Sequence, residues 1–375
     1  MAPPETLASY CSSPAWGGLE MHVVQQLDWM RQRGWRVILY GRPDTQMCRR
    51  ASELGLATRP TAARRSVGDL AAAWRLARQT RQDGVRWLIV HQSRDLFLGA
   101  AAKTVAGARL KLLYNQHMHM GKNKKDPYHR WLYGRLDAFV TPVPWLAERV
   151  REKTTIARER IHVVPRGVEL APFVDHKPDR AAARQKLGLP PDAFLIGVIG
   201  RLDPKKGQHV AIRALRRVHD TGHPAHLLLV GAQTHDEGDA YVREIHRLVQ
   251  DLNLSEFVHF RSHVDQPQWA YAALDLFVLA SKSECYGMVT VEAMVSGLPV
   301  IGTNDGGTVS LIDHGRNGLL VTPLDHDELA RAIIALIDDP ATAQRLARTA
   351  REEGLVRFSR TTQCEAWEKL LVSLN

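Results

Sequence analysis

The stretch Ser283-Glu284-Cys285-Tyr286-Gly287-Met288-Val289-Thr290-Val291-Glu292-Ala293 carries two carboxylates with seven residues between them. The apolar run 276–279 ahead of it reads as a strand, and a helix follows that begins near Gly287 and ends before Gly297. Glu284 then sits just ahead of the helix N-terminus and Glu292 about one turn inside it. Carboxylates so spaced can accept hydrogen bonds from hydroxyls on two parts of one long ligand, such as a hexose and a ribose. The amides of Gly287, Met288 and Val289 lie between them and can take phosphate oxygens. Glu284 also fits a helix cap and Glu292 a surface position. Against the latter, Glu292 is set among Val289, Val291, Ala293, Met294 and Val295, and a carboxylate facing a core needs a partner.

A second candidate is Gly200-Arg201-Leu202-Asp203-Pro204-Lys205-Lys206-Gly207, after an apolar run that ends at Ile199. Arg offers a planar fork and Lys a point charge, which together suit a diphosphate; a solvated basic turn has the same composition. Near the start, Gly17 and Gly18 in Trp16-Gly17-Gly18-Leu19-Glu20 follow the first strand. Paired glycines there let backbone come close to a phosphate or sugar oxygen, although many such pairs are only turns. They do not form the dinucleotide fingerprint, which argues against a dehydrogenase. Tyr114-Asn115-Gln116-His117-Met118-His119-Met120-Gly121-Lys122-Asn123-Lys124-Lys125 places His117 at a strand end, where it can touch a sugar. Lys122 and Lys124 can hold an acidic acceptor. His117 and His119 lack a third partner for a metal. Gly306-Gly307 and Asn317-Gly318 read as tight turns.

The elements that must position these residues alternate strand and helix, the pattern of parallel α/β sheets. Apolar runs predict strands at 7–11, 37–40, 87–91, 110–115, 138–141 and 161–164. A second series falls at 194–199, 226–230, 258–260, 276–279, 299–302 and 318–321. Helical periodicity fills 18–33, 67–83, 144–152, 208–220 and 327–338. The polar stretch 167–184, with Pro172 and Pro178, reads as a linker. The expected division is 1–170 for one Rossmann-like domain and 171–358 for a second. Residues 359–375 form a final helix expected to pack back on the first. Two doubly wound domains of this kind, facing each other, leave a cleft at the carboxyl ends of their sheets.

The 375 residues carry 45% apolar and 24% charged side chains, the balance of a globular protein. Lys and Arg exceed Asp and Glu by 50 to 40 overall, but residues 1–170 hold 28 of the basic and 14 of the acidic groups. The positive charge thus belongs to the first half, which attracts phosphorylated substrates or anionic membrane surfaces. Nucleic acid is not expected, since no binding motif accompanies the charge. Cys11, Cys48, Cys285 and Cys364 are scattered and read as reduced thiols. Met1–Glu5 lacks the features of a secretory leader, and no apolar run reaches membrane-spanning length. The expected location is cytoplasmic, with peripheral contact at the inner membrane face through 128–136.

The motif Arg201…Lys206-Gly207, Glu284-Cys285-Tyr286-Gly287-Met288…Glu292-Ala293-Met294 and Gly306-Gly307…Asn317-Gly318-Leu319 resembles the GT4 family of retaining glycosyltransferases. Gly17-Gly18 and Pro165-Arg166-Gly167-Val168 stand where that family has its glycine loop and pre-linker motif. The resemblance runs over essentially the whole chain and implies the GT-B fold, two Rossmann-like domains facing across a cleft. It further implies that Arg201 and Lys206 bind the donor diphosphate and stabilise the leaving group, so that no metal or other cofactor is needed. Glu284 would hold hydroxyls of the donor sugar and Glu292 the ribose. Main chain near Val264, in Ser262-His263-Val264-Asp265, would meet the base. Gly18 would approach a donor phosphate and His117 the reacting sugar. The donor phosphate itself would accept the proton, without a dedicated protein base. Arg166 replaces the usual Asn and Tyr286 a common Phe.

The expected activity is transfer of a hexose from a UDP- or GDP-sugar to an anionic glycan or lipid-linked acceptor of the cell envelope, as in lipopolysaccharide biosynthesis. A sugar-nucleotide epimerase on the same fold and a non-catalytic nucleotide-sugar-binding relative remain open.

Overall fold

A computed structural model describes residues 5–61, 67–232, 240–262, 264 and 266–374. The chain divides into two units, Met1–Pro165 with Thr361–Asn375, and Arg166–Arg360. The first unit thus closes at Pro165, a few residues before the expected boundary at 170.

The first unit runs β1 Thr6–Cys11, α1 Gly18–Gln32, β2 Arg36–Gly41, α2 Gln46–Glu53, β3 Ala57–Pro60, α3 Leu70–Gln82 and β4 Val85–Val90. It continues with α4 Leu96–Ala106, β5 Lys111–Asn115, α5 Pro127–Gly134, β6 Ala138–Thr141, α6 Pro144–Lys153 and β7 Ile161–Val163. The strands form one parallel sheet in the order β3-β2-β1-β4-β5-β6-β7. Alternation along a strand sends side chains to opposite faces. In β1, Ala8 and Tyr10 join Leu76, Ala100 and Leu112 on one side. Leu7 and Cys11 join Val23, Leu27 and Met30 on the other. Strands covered on both faces read as continuous apolar runs, which is why all but one of the described strands fall where the sequence predicts. The exception is β3, Ala-Thr-Arg-Pro, a mostly exposed edge strand held by backbone pairing to β2.

The second unit runs α7 Arg180–Leu187, β8 Leu195–Ile199, α8 Gln208–Asp220, β9 His226–Val230, α9 Ala240–Asp251, β10 Val258–Arg261 and α10 Pro267–Ala273. It continues with β11 Leu276–Val278, α11 Met288–Val295, β12 Val300–Thr303, β13 Leu319–Val321, α12 His326–Asp338 and α13 Pro340–Arg357. Its sheet is also parallel, in the order β10-β9-β8-β11-β12-β13. In each sheet the strand order reverses direction beside the first strand, between β1 and β4 and between β8 and β11. Such reversal points open a crevice beyond the carboxyl ends of the strands.

One expectation is corrected. The stretch 167–184 is not all linker, because Asp179 caps α7 by accepting the amides of Ala181 and Ala182. Arg184 is buried within that helix. Its guanidinium donates to the carbonyls of Ala273 (3.0 Å) and Pro191 and to the Asp275 carboxylate (2.7 Å). Polar composition suggested a loop, but a fully bonded Arg is a core residue.

The closing helix, α14 Arg360–Ser373, sends Cys364, Trp367, Leu370 and Leu371 into the same apolar cluster as Val23, Leu27 and Met30. Glu368 accepts from Arg33 (2.7 Å) and from the indole of Trp35 (3.0 Å). Trp367→Ala should destabilise the first unit by about 3–5 kcal/mol through the cavity it leaves. Hydrogen exchange should then quicken in α1 and β1 and stay unchanged in β8 and β9; equal acceleration in both units would contradict the assignment of α14 to the first.

Candidate functional site

At the reversal point of the second sheet, the loops after β8 and β11 are packed backbone to backbone. Gly207 caps α8 in the left-handed conformation (φ 72°), and a Cβ there would lie 2.2 Å from the carbonyl oxygen of Ala280. The Lys282 amide donates to the Lys205 carbonyl (2.8 Å). Within the first loop, Asp203 accepts the Lys205 amide (2.8 Å), and the Gln208 side chain donates to the Arg201 carbonyl (2.7 Å). The second loop is fixed from below. The Gly307 amide donates to the Glu284 carbonyl (2.6 Å), and the Ser283 amide to the Asp305 carboxylate (2.8 Å). A Cβ at Gly306 or Gly307 would lie 2.3 Å from the carbonyl of Glu284 or Cys285.

This packing brings Lys206 Nζ to 2.6 Å from Glu284 Oε2, with the two side chains 26% and 15% exposed. Arg201, on the same loop, is 57% exposed and stands 3.5 Å from Asp203. Glu284 is therefore not a helix cap; the N-cap of α11 is Gly287, left-handed at φ 86°. Thr290 and Val291 donate to its carbonyl, so the amides of Met288 and Val289 precede the first helical bonds and have no acceptor within the helix. Glu292 is partly buried and accepts a 2.7 Å bond from the Tyr271 hydroxyl. Burial pushes its carboxyl up to about 7, and the Tyr271 bond opposes that rise. Val264 lies just beyond β10, while His263 and Asp265 lie outside the described residues. A cavity of about 310 Å³ near β9 and β10 is lined by Leu202, Gly231, His246, Phe260 and Ser262 among others. The two departures from the GT4 pattern touch each other: Tyr286 donates to the Arg166 carbonyl (2.8 Å), and the guanidinium carbon of Arg166 lies 5.9 Å from the Tyr286 ring centre. Burial brings Arg166 down to about 10, still a cation at neutral pH.

In the first unit, Gly17 caps α1, its amide donating to Glu20 (3.0 Å), and a Cβ on Gly18 would meet no described atom within 4 Å. His117 follows β5 and is buried; His119 is exposed and leans on Trp145. Lys122 is exposed. Lys124 is partly buried and joined to Thr154 by a backbone bridge, with its amide on the Lys153 carbonyl (2.8 Å). Burial holds the Lys124 ammonium below the usual lysine range. In 128–136, Leu132 and Tyr133 are buried and Trp131 packs on Phe97. Among the described residues no three His, Cys, Asp or Glu side chains gather as metal ligands, and no helix is long and apolar enough to cross a membrane.

Residues 16–171 match the model of glycosyltransferase family 4, and residues 179–353 that of glycosyl transferases group 1. The chain belongs to the group 1 glycosyltransferases. Among its relatives in this family, a D-inositol 3-phosphate glycosyltransferase of Catenulispora acidiphila is 35% identical over 187 residues, 48% of this chain and 43% of that one. The lipopolysaccharide core biosynthesis glycosyltransferase LpsE of Rhizobium meliloti is 32% identical over 238 residues, 63% of this chain and 64% of that one. The chain spans about half the length of the curated relatives it matches. A glycosyltransferase of Rickettsia africae superposes with a TM-score of 0.89 at 17% identity, over 99% of this chain and 98% of that one. HepE of Anabaena, solved in complex with UDP, superposes with a TM-score of 0.84 at 24% identity, over 98% and 100%. The shared fold is GT-B.

Several supporting residues carry no signal in the sequence. Tyr271, Gln208 and Asp305 hold Glu292, the Arg201 loop and the Glu284 loop from distant positions. Ser9 and His91 bond in series with His117. Ser9 falls within a predicted strand and His91 at the end of another, without a role for either in the sequence reading.

The raised Glu292 carboxyl sets a pH dependence. Between about 4.5 and about 7 the folded chain keeps a proton that the unfolded chain has lost. Stability therefore falls as pH rises through that window and levels off above it, by roughly 3 kcal/mol. Glu292→Gln should abolish this component. Urea midpoints near pH 5 and pH 8 should differ less for the variant than for the parent, and identical differences would refute it.

Proposed function

We propose that the chain transfers a hexose from a UDP- or GDP-sugar to an anionic acceptor, with retention of anomeric configuration and without a metal ion. The observation that carries this reading is the Lys206–Glu284 contact, which joins the cationic loop after β8 to the carboxylate loop after β11. A partly exposed ion pair contributes about 1 kcal/mol or less to stability, which is little reason for so much close glycine packing around it. As a receptor it has a clear use. Lys206 and Arg201 offer positive charge to a diphosphate, beside the amides of Met288 and Val289. Glu284, already neutralised by Lys206, accepts sugar hydroxyls without repelling the phosphates. Glu292, held by Tyr271, is suited to the ribose, and main chain at Val264 to the base.

In the reaction, the bond from the anomeric carbon to the diphosphate breaks and a bond to the acceptor oxygen forms on the same face. The acceptor proton passes to the departing diphosphate, whose charge Lys206 and Arg201 stabilise. To the first unit the reading assigns the acceptor, with Lys122 and Lys124 on its negative charge, His117 on a sugar oxygen, and the Gly17-Gly18 turn open to a close-approaching phosphate. HepE structures with UDP, with UDP-glucose and with UDP and glucose support a UDP-hexose donor. The relatives named for D-inositol 3-phosphate and for lipopolysaccharide core biosynthesis support a phosphorylated or envelope acceptor. A cytoplasmic location at the inner membrane face follows from that acceptor class.

Calorimetry with UDP, GDP, UDP-glucose and GDP-mannose should show one saturable nucleotide site. Loss of a charged hydrogen bond costs about 1.5–3 kcal/mol, so Lys206→Ala should weaken it roughly ten- to hundredfold. Glu284→Gln should reduce transfer more than it reduces binding of the sugar-free diphosphate. Absence of binding across the panel, or wild-type affinity in Lys206→Ala, would refute the site. Turnover of free nucleotide sugar without any acceptor would point instead to an epimerase.

A further inference from the structure

Past the end of β12 the chain keeps running beside the loop that follows its parallel neighbour β11. Three links join them. The Thr303 hydroxyl donates to the Ser281 carbonyl (2.6 Å), Asp305 accepts from Ser283, and the Gly307 amide donates to the Glu284 carbonyl (2.6 Å). The middle link is the most elaborate. Asp305 Oδ2 accepts both the Ser283 amide (2.8 Å) and the Ser283 hydroxyl (3.1 Å), while Oδ1 accepts the Gly306 amide (2.8 Å). One carboxylate thus ties the residue before Glu284 to the glycine against which Glu284 is seated. A Cβ on Gly306 would lie 2.3 Å from the Glu284 carbonyl oxygen and 2.8 Å from its nitrogen.

Ser283 stands at φ 58°, in the left-handed region. Its Cβ makes that region costly, and aspartate and asparagine tolerate it better than serine does. Such a conformation persists only where its surroundings impose it, and here the two bonds to Asp305 do so. The next residue is Glu284, and the backbone direction set at 283 decides where its side chain leaves the chain. With Ser283 left-handed, Glu284 Oε2 comes to 2.6 Å from Lys206 Nζ. Ser283 is exposed and Asp305 only partly buried. An exposed serine adds little to a core, so the strain at this point is explained by the direction it gives Glu284.

We propose that Asp305 is a positioning residue for Glu284, clamping Ser283 in the left-handed conformation that presents the Glu284 carboxylate to Lys206 and to the hydroxyls of a donor sugar. This rests on the reading of Glu284 as the group that holds the sugar. It adds that the aim of that carboxylate is set by a second acid, which follows β12, and not by Lys206 alone. Without the clamp Ser283 relaxes to negative φ, Glu284 turns away, and the Lys206 ammonium is left to solvent.

Two readouts on the full chain test this, and the first needs no nucleotide. Acetic anhydride acylates unpaired amines, and mass spectrometry of the digested chain gives the rate at Lys206. Asp305→Ala should raise that rate about fivefold, the worth of a partly exposed ion pair. Glu284→Gln should raise it as far, and the two changes together no further. Adding Ser283→Gly to Asp305→Ala should bring the rate at least halfway back, because glycine takes the left-handed conformation without strain. Asp305→Asn keeps the shape and one acceptor oxygen; it should lie between parent and alanine variant, and it carries the test if the alanine chain does not fold. The second readout is turnover of UDP-glucose. Asp305→Ala should lower kcat roughly tenfold in the parent and within about twofold in the Glu284→Gln background, since residues acting through one group do not add. A parental Lys206 rate in Asp305→Ala, no recovery with Ser283→Gly, or equal losses of kcat in both backgrounds would overturn the proposal. If UDP-glucose is not turned over, it is the glycosyl-transfer reading that fails, and the Lys206 rates still decide the clamp.

Discussion

The second unit depends on four places where peptide backbones touch with no side chain between them. At Gly207, Gly231, Gly306 and Gly307 a single added carbon would lie between 1.9 and 2.3 Å from a carbonyl oxygen of a neighbouring loop. Contact this close cannot be reached with any other residue. It removes the space in which the loops after β8 and β11 could slide, and an ion pair 2.6 Å long is the product. The charged groups do not hold the loops together; the loops hold the charged groups. Electrostatic recognition works best when its dipoles and charges are fixed in advance, because little reorganisation is then left for the moment of binding.

The two sheets share a construction and diverge in chemistry. Each places its candidate residues where the strand order reverses, the location that doubly wound folds leave open. In the second unit that place is lined by ions, with Lys206, Arg201 and Glu284 within one pair of loops. In the first it carries Ser9, His91 and His117 bonded in series, and Asp95, which follows β4, accepts the amide of Ser12 (2.9 Å). Burial raises the Asp95 carboxyl against those bonds.

Much of this was legible in the amino-acid order because parallel strands covered on both faces are uninterrupted apolar runs, and because Gly207, Gly287 and Gly306 mark turns that other residues avoid. The carboxylate spacing placed Glu284 ahead of α11 and Glu292 within it, as found. What could not be read depends on contacts between distant positions. Tyr271 is indistinguishable in sequence from any core aromatic, yet it is the partner that Glu292 required. The strand β3 has no apolar alternation because it lies at an edge, and Arg184 looked like linker because its four acceptors come from 190–275. The pairing of Arg166 with Tyr286 joins two departures from the family pattern that sequence alone presented as separate.

The closing helix has a consequence for the order in which the molecule is made. Trp367, Leu370 and Leu371 complete an apolar cluster begun by Leu7 and Val23. A chain emerging from the ribosome supplies everything for the second sheet before it supplies the last wall of the first. The amino-terminal sheet keeps one apolar face incompletely covered until α14 has been made, after every strand of the carboxyl-terminal sheet. The first unit is thus completed by residues made after those of the second, against the usual order in which domains are finished.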